Sequence, residues 1–180
     1  MPNEHGNFSP YRLARILAAG NGRGASAEVV RVSIYRGLPS QNKDSKGYAA
    51  NRRQAAAWTS EAPGIVDPVM RPLRYPRNFP SEPPVEKGVD VELAVSAIEA
   101  TLTNACDVAI VFSHDADLLP VPETIARLAG TDHVETVSWR SSNFRKRLRP
   151  KVQGTPIYHH DVSRSVYDLV ETPVNYARSQ

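Results

Sequence analysis

Two stretches of this chain gather carboxylates where chemistry could use them. "EKGVDVELAV" puts Asp90 at the mouth of an apolar helical pattern, and "DVAIVFSHDADLLPVPETI" puts Asp115 and Asp117 just after a run of apolar strand-formers. In an open α/β sheet, ligands sit outside the carboxyl ends of the strands, which is where the second pair would fall. The one-residue spacing lets both carboxylates reach a common point if the turn curls over the strand tip. Asp90, in the first turn of the preceding helix, can face the same rim. Hard oxygen donors on a shared rim suit Mg2+ or Mn2+, which take carboxylates, water and substrate phosphate. Such ions activate water and neutralise charge developing on a phosphodiester. Asp90, Asp115 and Asp117 are therefore the candidate metal ligands and catalytic residues. A plainer reading stands beside this one: Asp90 as a favourable charge at a helix N-terminus, Asp115 and Asp117 as turn formers before a Pro-started helix.

Their neighbours add to the set. Lys87 could touch a phosphate or sit in a solvated loop, and Glu86 is a further candidate ligand. Ser113 ends the strand and can hydrogen-bond a carboxylate or a phosphate. His159 and His160 are adjacent, so in extended backbone their side chains diverge, and both are read as structural. The single cysteine, Cys106, excludes an internal disulfide and suits a reducing cytoplasm. It is read as a small buried residue rather than a nucleophile. The sequence carries no GxxxxGK[ST], CxxC, HExxH or GxSxG pattern, which counts against a nucleoside triphosphatase, a zinc site and a serine hydrolase.

The charge is modest but unevenly spread. The formal net charge is +3, yet "WRSSNFRKRLRPK" carries Arg140, Arg145, Lys146, Arg147, Arg149 and Lys151 with no acid among them. "NRR" and "MRPLRYPR" add Arg52, Arg53, Arg71, Arg74 and Arg77, interleaved with Tyr75. Basic surface with aromatic interleaving is what a phosphate backbone needs. Arg145, Lys146 and Arg147 are therefore candidate substrate-binding residues.

The elements that must position these groups follow from pattern. "FSPYRLARILAAGNG" predicts a helix with Ser9 as N-cap, Pro10 first and Gly20 past the end, and Leu13, Ile16 and Leu17 as its stripe. "AEVVRVSIYRG" predicts a strand with Val30, Val32 and Ile34 on one face. "YAANRRQAAAWTSEA" is Ala-rich and helical. "GIVDPVMRPLRYP" reads as an extended piece broken by Pro68 and Pro72. "VDVELAVSAIEATLTNA" predicts a helix with Val91, Val95, Ile98 and Leu102 inward. "DVAIVFS" reads as the most buried strand, covered on both faces. "PVPETIARLAG" predicts a short helix and "VETVSW" a strand. "YHHDVSRSVYDLVETP" reads as a loop and then a short helix.

At 180 residues, with 41% hydrophobic and 23% charged residues, a single globular domain is expected. No run approaches a bilayer span, and the first residues show no secretory pattern, so a cytoplasmic protein is expected. Alternating strands and helices predict a three-layer α/β fold with a mainly parallel sheet. The chain opens on a helix with no strand before it.

The paired motifs resemble the NYN-domain group of PIN-like nucleases, whose pattern is roughly K-G-x-D on a helix and then S-G-D-x-D after a strand. The likeness is strongest over about residues 85 to 140, with a basic loop and tail beyond. It implies a Rossmann-like sheet and metal-dependent RNA cleavage by an acidic cluster, with Mg2+ or Mn2+ as cofactor. Asp90, Asp115 and Asp117 match acidic positions of the family, and Lys87 and Ser113 match neighbouring motif residues. His114 stands where many members carry Gly. Members usually begin with a central strand ending in Asp, and no such stretch precedes Phe8. The expectation is thus a metal-dependent ribonuclease lacking its first strand and first Asp. The alternative is a non-catalytic RNA-binding or regulatory module that keeps the fold. RNA, single-stranded or structured, is the expected partner, with a homodimer or protein partner also open and no membrane association.

Overall fold

The computed structural model describes residues 7–20, 27–140, 150–174 and 176. It is a mixed α/β protein whose longer strands all pair in parallel. The chain falls into two compact units. Residues through Val89, with those from Val170 onward, form the first, and Asp90–Leu169 forms the second. Among the described residues no helix is long and apolar enough to cross a membrane, and no strand precedes the first helix.

The first unit holds α1 (Pro10–Ala19), β1 (Val32–Leu38), α2 (Ser45–Glu61) and β2 (Val66–Pro72). The punctuation of α1 works as its residues dictate. Ser9 Oγ accepts from Arg12 N at 3.1 Å, Pro10 opens the helix, and the Gly20 N–H closes onto the carbonyls of Ile16 and Leu17. Ser9 is fully buried and its hydroxyl also donates to Glu61, whose other oxygen accepts from Arg12 at 2.7 Å. The helix α2 starts ahead of its Ala-rich run because the Asp44 carboxylate accepts from Gly47 N at 2.8 Å. It buries Trp58 against Ala62 and Val66, with Tyr11, Val32, Ile34 and Ile65 packed around them.

The strands β1 and β2 run parallel, from Val32 opposite Val66 to Leu38 opposite Pro72. Two expectations are corrected here. Val30 lies outside β1 and is 54% exposed. Pro68 and Pro72 do not break β2, because β2 has one ladder partner, so a missing N–H is tolerated on its outer edge. The end of the chain completes this unit. Ser9 N donates to Val170 O at 2.8 Å, Thr172 N donates to Asn7 O at 2.9 Å, and Phe8 bridges Glu171.

The second unit holds most of α3 (Val89–Leu102), then β3 (Ala109–Phe112), a 3-10 turn (Ala116–Leu118) and α4 (Pro120–Leu128). There follow β4 (Val134–Trp139), the short pair β5 (Lys151–Val152) and β6 (Thr155–Pro156), β7 (Tyr158–Val162) and all but the last residue of α5 (Arg164–Val170). The sheet has the order β3-β4-β7, parallel throughout. Val111, Val134, Leu118, Val121 and Ile125 form its core, with Leu93, Ala94, Ala97 and Ile98 of α3 against it. Fully burying each such aliphatic side chain contributes roughly 1.5–3 kcal/mol.

Three further expectations change. The most buried strand is β4, with Val134–Ser138 all buried, because it is central, whereas β3 is at the sheet's edge and buries only Val111. The segment "YHHDV" is a strand rather than a loop, held to β4 from Glu135 opposite Tyr158 to Trp139 opposite Val162. On α3, Val91, Val95 and Leu102 are exposed at 66%, 58% and 52%, while Thr101 is buried. That helix is apolar nearly all round, so periodicity alone did not choose its inward face.

Candidate functional site

The acidic pair sits where strand β3 ends. Ser113 Oγ accepts from Asp115 N at 3.0 Å, and Asp115 Oδ1 accepts from Asp117 N at 2.9 Å. Each short side chain thus holds the backbone two residues on, which is the turn chemistry expected of Ser and Asp. Leu118, 5% exposed, anchors the 3-10 turn in the core, and the Asp115 carbonyl accepts from its N–H at 3.2 Å. Asp115, Ala116 and Asp117 are exposed on the outside of this turn. Asp115 thus caps a turn, as the plainer reading of the pair has it, and the turn leaves both carboxylates exposed at the carboxyl end of a parallel strand.

Asp90 lies in the first turn of α3 with Glu92 and is exposed. The approach to that helix is set within the first unit. Glu86 Oε1 accepts from Gly37 N at 2.8 Å. A Cβ on Gly37 would lie 2.2 Å from Leu73 Cδ2 and 2.8 Å from Glu86, so any side chain there would displace Leu73 and Glu86 from this close approach. Gly88 has φ +78°, a left-handed conformation that side chains resist. Glu86 is thus engaged as a hydrogen-bond acceptor, and Lys87 is exposed beside it. Arg36, next to Gly37, hydrogen-bonds Gln54 and lies 5.7 Å from the Trp58 ring. Burial pushes its guanidinium below the ordinary value, and the charge of Glu86 pulls it back up.

Among the described residues, no group of three or more His, Cys, Asp or Glu side chains is placed to hold a metal ion. Mg2+ usually keeps several waters and is bound through one or two carboxylates plus substrate phosphate. The exposed Asp115–Asp117 turn fits that kind of ion and does not form a closed protein cage. Arg145, Lys146 and Arg147 lie outside the described residues.

A second polar group escaped the sequence reading. The ring of His159 meets Thr136 Oγ1 through Nδ1 at 2.8 Å and Ser138 Oγ through Nε2 at 3.0 Å, with Asp161 3.7 Å from Nε2. On the opposite face of the sheet, His160 Nε2 meets Glu135 Oε2 at 2.6 Å. The divergence of the two histidines was legible, and their structural role agrees with these contacts. Their partners were not, although the alternation of "VETVSW" around a lone Glu135 marks a strand with a polar inward position. Cys106 is partly buried, and its thiol is pushed up by burial and by the charge of Asp107, with a Thr101 hydrogen bond opposing them. A thiol held protonated suits the reading of Cys106 as no nucleophile.

No family model, curated protein or solved structure matches the chain.

Proposed function

We propose that this chain is a metal-dependent ribonuclease of the PIN-like class, hydrolysing phosphodiester bonds of RNA. The observation that carries the reading is the Ser113–Asp115–Asp117 turn, which presents two exposed carboxylates at the carboxyl end of a parallel strand. Asp115 and Asp117, with Asp90 as third acidic residue, would hold Mg2+ or Mn2+. The bound ion would supply an activated water and offset charge on the phosphodiester. Ser113 fixes the turn by accepting the Asp115 N–H. Lys87, Arg145, Lys146 and Arg147 are assigned to phosphate oxygens, where basic side chains position a strand without reading its sequence. The three-layer PIN-type arrangement belongs to this reading, and the parallel β3-β4-β7 sheet with its helices supports it. A cytoplasmic site of action belongs to it as well.

A second reading, an RNA-binding module that does not cleave, is favoured by one observation: the described carboxylates form no group of three ready to hold an ion. One experiment separates the two. The purified chain is incubated with end-labelled RNA in Mg2+, Mn2+ or chelator, alongside Asp115→Asn and Asp117→Asn. The nuclease reading expects metal-dependent products that fall by more than about 100-fold in either variant, beyond the usual loss on removing an outer-shell partner of a metal. RNA retained without products assigns the binding module. Neither binding nor products removes both readings.

A further inference from the structure

Three aromatic rings run in edge contact across the carboxyl side of the second unit's sheet. Phe112 ends β3, Trp139 ends β4, and Tyr167 lies on α5. The Phe112 and Trp139 centroids are 5.6 Å apart, and those of Trp139 and Tyr167 are 5.4 Å apart. Phe112 is the register partner of Val137, so strand alternation puts it on the same face as Trp139. His114 extends the row toward the acidic turn, 6.2 Å from Phe112. At the other end the Arg164 guanidinium lies 5.2 Å from the Tyr167 ring.

Several features separate this row from ordinary core packing. All three rings are half-buried, unlike Trp58, which is 7% exposed. Exposed Arg164, whose guanidinium also donates to Asp168 at 2.6 Å, stands at one end of the row, exposed Arg140 follows Trp139 in the chain, and the row begins beside the exposed Asp115. Arg140 N donates to Val162 O at 2.7 Å, so its backbone is fixed at the sheet's rim. Rings of this kind, with guanidinium groups beside them, match the π-face of a base and the phosphates next to it. A duplex hides its base faces, whereas a single strand can splay a base outward.

We infer that this row is a stacking platform for an unpaired base of single-stranded RNA. Trp139 is at its centre, with Arg140 and Arg164 on the adjoining phosphates. The inference rests on the RNA reading above and adds to it the strandedness of the ligand and the residue that meets the base.

The test uses the full chain, chelator to prevent cleavage, and three probes: a single-stranded RNA octamer, the same octamer abasic throughout, and an RNA duplex of equal length. Tryptophan fluorescence and affinity are followed for the wild type, Trp139→Phe and Trp139→Leu, with circular dichroism for folding. The octamer is expected to quench fluorescence and to bind about 5- to 150-fold tighter than its abasic counterpart, the span expected for one stacked base. Trp139→Leu should lose the same factor, while Trp139→Phe keeps most of the affinity and loses the quench. If Trp139→Leu does not fold, the abasic comparison and Trp139→Phe decide. Equal binding of octamer and abasic strand without quenching overturns the platform and leaves the RNA reading standing. Duplex bound as tightly as octamer overturns the single-strand assignment. No binding of any probe overturns both.

Discussion

The Glu135 carboxylate and the His160 imidazole meet at 2.6 Å on one face of the β4–β7 ladder, with Glu135 only 1% exposed. They are diagonal rather than direct partners, since Glu135 stands opposite Tyr158 and Val137 opposite His160. The pair thus links the two strands by side chains in addition to the backbone ladder. Removing one member of a buried pair strands the other, at a cost on the order of 3 kcal/mol. His160→Ala should therefore lower stability by about that amount in urea unfolding. The double variant with Glu135→Ala should cost less than the sum of the singles by more than about 0.5 kcal/mol. Additive single losses would show that the contact does not couple β7 to β4.

Asp115 is expected to separate structure from chemistry. Asparagine keeps the side-chain oxygen that accepts from Asp117 N, so Asp115→Asn should leave stability within about 0.5 kcal/mol of wild type. Asp115→Ala loses the cap and should cost about 1 kcal/mol. If both variants abolish cleavage equally while only alanine lowers the unfolding midpoint, the charge and the turn are distinct contributions. Equal destabilisation by both would mean that the negative charge itself holds the turn.

The Cys106 thiol gives a pH signature. Its folded pKa is raised, with burial as the leading cause, so the protonated thiol is favoured by folding. That stabilisation is present below the ordinary thiol pKa and is lost as pH rises through the folded value. Alkylation by iodoacetamide at pH about 8.5, where a free thiol is half ionised, should be slower in the native chain than in urea. Equal rates in the two states would contradict the shift.

What was legible in the sequence was whatever local chemistry decides. Ser9, Pro10 and Gly20 specify α1 without help from elsewhere, and the Asp-X-Asp spacing specifies the turn after β3. What was not legible depends on partners far along the chain. The strand β7 reads as polar loop until Thr136, Ser138 and Glu135 are set beside His159 and His160, 21 to 25 residues away. Ile98 of α3 meets the core as its stripe predicts, but Leu93, Ala94 and Ala97 join it there while Val91, Val95 and Leu102 stay exposed, a choice that a helix apolar nearly all round leaves to its neighbours. The edge position of β3 follows from strand order, which no local pattern encodes. For the site, the residues of the turn and the exposed start of α3 were legible, while the glycine-lined seat of Glu86 was not.

The first unit is built from both ends of the chain. Asn7 Nδ2 donates to Val174 O at 2.8 Å across 167 positions, and Ser9 at the mouth of α1 is bonded to Val170. A nascent chain leaves the ribosome with α1, β1, α2 and β2 already made but with this seam still open. Domains tend to fold as units, N-terminal first, yet here closing the unit that holds α1 waits on residues made after the whole of the second unit. Loop-closure entropy grows only slowly with length, so the seam is thermodynamically inexpensive but late. During translation the second unit can form as an uninterrupted stretch, and it is the α1–β2 segment that must be kept from misassociating until Val170 and the residues after it arrive.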